Sequence, residues 1–129
     1  MRRRTLTAVA IGALILAAVA GTTALATRTV RIPSHVTIKS TDLIFTGRVT
    51  AANAACERAR RVKLYRRTGS LLLGAATTNA SGHWKITVAG FAGVSLGHFF
   101  ARVRQRSEGT AGTIYVCKAA ISPTIAFNQ

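Results

Sequence analysis

With 129 residues, a formal net charge of +15 and three carboxylates in all (Asp42, Glu57 and Glu108), the chain has room for one ordinary globular unit. So few acids leave little material for chemistry that needs two converging carboxylates, and the positive excess points to anionic partners or to a merely soluble surface. Arginine outnumbers lysine 14 to 4, beside abundant Ala, Gly and Thr. That usage resembles the coding bias of a high-GC genome, so composition competes with selected binding as the source of the charge.

The N-terminus opens on Arg2, Arg3 and Arg4, followed by an uncharged apolar run from Leu6 to Ala20. Ala24-Leu25-Ala26 then supplies the small-residue pattern read by a signal peptidase, so residues 1–26 are expected to form an export segment with a signal helix. An uncleaved anchor is the alternative, because about 20 apolar residues are enough to span a bilayer. Either way the arginines stay inside and the rest is delivered outside, to the extracellular space or the cell envelope. Cleavage after Ala26 leaves about 100 residues, within the usual domain range, and both cysteines, Cys56 and Cys117, lie among them. In an oxidising compartment two cysteines in so small a domain are most simply a disulfide. No C-x-x-C spacing and no ligand-like spacing to His35, His83 or His98 points to a metal, and no cofactor motif is present.

Residues 27–41 read as a linker, from Thr27 to Pro33, with one short strand at Val36-Thr37-Ile38. The domain proper is placed at 42–129. Leu43 to Val49 predicts a strand in which Gly47 marks a bulge. Val62 and Leu64 alternate with Arg61, Lys63 and Tyr65 as in a half-buried antiparallel strand. Thr68-Gly69-Ser70 turns the chain into Leu71–Thr77, and Asn79-Ala80-Ser81-Gly82 has the chemistry of a hairpin turn. Trp84, Ile86 and Val88 follow in phase, so Trp84 is expected to fill the core. After a loop spaced by Gly90, Gly93 and Gly97, Phe99, Ala101 and Val103 alternate with Phe100, Arg102 and Arg104. Gly109 and Gly112 break the chain before Tyr115–Ala119, and Ile121–Phe127 ends it. Seven or eight short strands, with turns every eight to twelve residues, predict an all-β antiparallel sandwich of immunoglobulin-like type.

Gly47-Arg48-Val49, Cys56 and Arg61-Val62-Lys63-Leu64-Tyr65, followed by Gly74 to Trp84, Gly97 to Val103 and Cys117 to Ser122, resemble the motif order of transthyretin-like (prealbumin-like), carboxypeptidase-regulatory-like domains in small secreted actinobacterial proteins. The resemblance runs from Leu43 to Phe127 and rests on turn glycines and core positions. It implies a sandwich used as an accessory or binding module, not a particular activity. The C-terminal Ile125-Ala126-Phe127-Asn128-Gln129 lacks the Tyr-Arg-Gly-Ser-like tail of the hydroxyisourate hydrolases that share this fold class. No nucleophile elbow supports a triad either, so the chain is expected not to be an enzyme; a small secreted hydrolase with an unrecognised site is the alternative.

The candidate site is the basic surface. Arg58, Arg60, Arg61, Lys63, Arg66 and Arg67 put six cations into ten residues, and Arg102 and Arg104 lie on the outward side of another strand. Tyr65 and Phe100, out of phase with their buried neighbours, are the aromatic contacts. Such a face fits an anionic envelope polymer or a phospholipid surface. A specific nucleic acid does not suit an exported protein, and a protein partner needing no charged ligand is the remaining class. A charge run that is only solvated is the competing explanation.

Overall fold

A computed structural model describes residues 26–89 and 97–129. The expected export segment, residues 1–26, lies outside them except for Ala26, as do Gly90 and Gly93 of the expected loop. Among the described residues the protein is all-β, with two short 3-10 turns at Ala54–Cys56 and Thr68–Ser70 and no α-helix. The strands are β1 (Arg28–Ile32), β2 (Ser34–Val36), β3 (Lys39–Thr41), β4 (Ile44–Ala51), β5 (Arg61–Arg66), β6 (Leu71–Thr77), β7 (His83–Thr87), β8 (His98–Val103), β9 (Arg106–Thr110), β10 (Thr113–Cys117), β11 (Ala120–Ile121) and β12 (Ile125–Ala126).

They form three sheets. In the first, β4 is central, with β2 and β3 sharing one edge and β7 on the other, all antiparallel. In the second the order is β11 and β12 on one edge of β8, then β5, then β6, also antiparallel. The third joins β1, β10 and β9, and β1 runs parallel to β10. Split edges, β2 with β3 and β11 with β12, account for two of the strands beyond the sequence reading; β1 and β9 are the others, and Gly109, read as a break, pairs with Ile114 inside β9. Pro123, which cannot donate to a ladder, lies between β11 and β12.

Period-two alternation builds the core. Phe45 and Val49 from β4, Trp84 and Ile86 from β7, Val62 and Leu64 from β5, and Phe99, Ala101 and Val103 from β8 are all buried in one cluster. The inner faces of the first two sheets therefore meet, with the Phe45 and Phe99 rings 5.1 Å apart between centroids. Trp84 fills this core as its phase predicts.

Three local expectations need correction. The segment read as a linker is strand β1: Val30 and Ile32 point inward against Cys56 and Cys117 in a second apolar cluster. Gly47 marks no bulge, because β4 and β7 keep register straight through it. It is small because a Cβ there would overlap the Thr37 carbonyl and the Trp84 ring. The bulge falls instead between Leu64 and Tyr65, where β5 meets β6. Asn79 to Gly82 does form a tight turn, with the Asn79 side chain accepting from the Ser81 and His83 amides and Gly82 at φ 81°. Yet it is no hairpin. The Gly82 carbonyl accepts from the Val49 amide, so the chain leaves β6 in one sheet and enters β7 in the other.

Candidate functional site: a basic groove on the outer face of the second sheet

The register of β5 against β8 fixes the site. Val62, opposite Val103, and Leu64, opposite Ala101, point into the core, so Lys63 and Arg102 face each other on the outer surface. Continuing that register by one residue sets Arg61 opposite Arg104, and both are exposed. Two rungs of like charge result, a pairing that destabilises a bare sheet by up to about 1 kcal/mol per pair. The next rung is Tyr65 opposite Phe100, and their rings stack at 5.4 Å with 18° between planes.

Arg61, Lys63, Tyr65, Arg102 and Arg104 line a groove of about 230 Å³, closed at one end by Arg60, Gln105 and Arg106. No carboxylate lines it. The ion pairs among the described residues are Arg48 with Glu57 at 3.8 Å and Arg106 with Glu108 at 3.4 Å, so neither consumes a rung cation. A larger hollow of about 760 Å³ over β4 and β7 also holds Lys39, Arg48 and Lys85. There, however, Arg48 is already engaged by Glu57 and by the Ser81 carbonyl.

The eight candidate cations do not all share the groove. Arg60 is buried, at 1% exposure, rather than presented to solvent. Its guanidinium donates to Ser34 Oγ (3.0 Å) and to the carbonyls of Cys56 (2.7 Å), Arg104 (2.9 Å) and Lys118 (3.2 Å). One side chain thus ties β2, the 3-10 turn at the disulfide, the end of β8 and the β10–β11 connection. Burial, and then the neighbouring Arg106, push its pKa below the usual arginine value, while Glu108 acts in the opposite sense. It stays charged all the same, as arginines in proteins do. Arg66 shares the inward phase of Leu64 and packs by Gly97, away from the groove. Arg67 leaves the strand in a helical turn conformation. Arg58 lines a different hollow with Glu108 and Tyr115.

Arg106, which the sequence reading did not single out, holds the other side of the groove's end. It donates to the carbonyls of Ala55, Ala59 and Arg58, fixing the loop that leads into Arg61. Arg60 meanwhile grips the carbonyl of Arg104. The groove's exposed cations therefore sit on backbone held by two structural arginines, which limits the ordering that binding must supply.

Cys56 and Cys117 are joined, with Cα atoms 5.2 Å apart and both side chains fully buried. The three acids fall in separate elements: Asp42 in the β3–β4 turn, Glu57 after the first 3-10 turn and Glu108 in β9. Glu57 pairs with Arg48 and Glu108 with Arg106. Among the described residues no three His, Cys, Asp or Glu side chains gather as a metal site. Comparison with protein-family models, with curated proteins and with solved structures finds no match to this chain.

Proposed function

We propose that this protein is an exported, non-catalytic β-sandwich module of the transthyretin-like kind that attaches to anionic material of the cell envelope through the outer face of β5 and β8. The observation that carries the reading is the carboxylate-free groove in which Arg61, Lys63, Arg102 and Arg104 face solvent with no acid to neutralise them. Keeping two like-charged rungs side by side costs stability, and an anion seated between them removes that cost. Planar guanidinium forks suit phosphate and carboxylate oxygens alike. Two sheets sharing one core support the sandwich reading, and a buried disulfide suits an oxidising compartment.

The test is retention of the purified domain on immobilised anionic envelope polymer at physiological ionic strength, parent against Arg61→Gln/Lys63→Gln/Arg102→Gln/Arg104→Gln. The reading expects the parent to be held and the variant to elute freely. Equal retention of the two would remove the groove from the account.

A further inference from the structure

Resting on that reading, we infer that the groove is built for a linear polymer carrying one anion per repeat of about 7 Å, lying along β5, and that it grips two successive anions and no more. The spacing comes from the strand. Outward positions on β5 recur every second residue, so the Arg61–Arg104 and Lys63–Arg102 rungs are about 6.7 Å apart. A chain with six backbone bonds between anions spans about 7 Å when extended, just as two extended amino-acid residues do. A phosphodiester-linked chain of a three-carbon polyol has that repeat. Each of its anions meets a pair of cations drawn from two different strands.

The limit of two comes from what bounds the rungs. Beyond Lys63 and Arg102 the next outward pair is Tyr65 stacked on Phe100, which offers apolar ring surface in place of charge. Arg67, next in phase, has left the strand. In the other direction the backbone is closed off where Arg60 and Arg106 hold the Arg104 carbonyl and the 55–59 loop. Small side chains on β6 leave room alongside the rungs, Thr77 opposite Arg61 and Ala75 opposite Lys63. The site is thus a short concave track. A chain lying along β5 can seat successive anions in both rungs at once, whereas the headgroups of a bilayer have no fixed spacing along the strand.

The experiment is calorimetric titration with glycerol-phosphate oligomers of one, two, three and four repeats, and with vesicles containing an anionic phospholipid. The second anion binds as an intramolecular event, so affinity should rise on the order of tenfold or more from one repeat to two. From two to four it should then change by no more than the statistical factor of sliding registers, roughly threefold. Arg61→Gln/Arg104→Gln should erase the first step, leaving two repeats no tighter than one. Tyr65→Arg/Phe100→Arg, which adds a third cationic rung, should move the break from two repeats to three. Affinity that climbs uniformly with length, or vesicles bound more tightly than the two-repeat oligomer, would overturn this inference while leaving the basic-face reading intact. Absence of binding to every oligomer, to long polymer and to vesicles would remove both.

Discussion

Arg60 separates a structural cation from a ligand-binding one. By sequence it belongs to a run of six cations, but in the fold its guanidinium satisfies four acceptors in four segments while the residue is 1% exposed. Arg60→Met keeps most of the aliphatic volume and removes every donor. Each buried acceptor left unpaired costs about 1 kcal/mol or more, and the part-buried Arg104 and Lys118 carbonyls cost less than Ser34 and Cys56, so the loss amounts to about 2–4 kcal/mol. That is a large share of the 5–15 kcal/mol typical of a whole domain. With a urea slope near that of a small domain, the unfolding midpoint should fall by roughly 1–4 M, read by circular dichroism with the disulfide intact. Arg60→Lys, whose ammonium has three donors, should fall between parent and Met variant. An Arg60→Met protein with parental stability but weakened anion binding would refute the assignment and return Arg60 to the surface site.

Three further outcomes follow from the same geometry. Replacing Cys56 and Cys117 together with Ala should cost about 4 kcal/mol on the chain-entropy estimate for their separation of 61 residues; a change below 1 kcal/mol in urea unfolding would show that packing alone holds β10 to the turn. Leu64→Ala, at a fully buried position, should destabilise by roughly 2–5 kcal/mol. The folded fraction should bind anions as the parent does, so a parallel loss of binding by folded protein would contradict the division between inner and outer face. Arg61→Gln/Lys63→Gln should leave stability unchanged or raise it by up to about 2 kcal/mol, since both rungs lose a like-charge contact, while binding drops; a strongly destabilised double variant would mean these side chains hold the fold.

Much of the fold was legible because alternation is a local signal. The inward sets on β5, β7 and β8 were all visible as every-second-residue patterns, and so were their outward partners Arg61, Lys63, Tyr65, Phe100 and Arg102. What escaped is long-range. β1 has little local pattern, and its strand character comes from lying beside β10, with Arg28 opposite Thr113. The turn at Asn79 carries hairpin chemistry, yet the Gly82–Val49 hydrogen bond sends the next strand to another sheet. The basic run broke up for the same reason. Strand phase sorts Arg61 and Lys63 from Arg66, but a run of Arg58 to Arg61 gives no hint that acceptors from β2, β8 and the β10–β11 connection converge on Arg60. Arg106 continues the alternating series Arg102, Arg104, Arg106, and that spacing carried no signal of its separate role until its three carbonyl partners were brought beside it.

The most direct measurement of the central claim is the salt dependence of affinity for a soluble anionic polymer, parent against the Arg61, Lys63, Arg102 and Arg104 to Gln variant. The two polymer anions that the four cations engage should release counterions with a slope of log affinity on log salt of about −1.4, on the single-strand value of roughly 0.7 per phosphate neutralised. The variant should bind weakly with a slope near zero. A parent whose affinity ignores salt, or a variant that keeps the parental slope, would contradict the claim that this groove is where the protein meets its anionic partner.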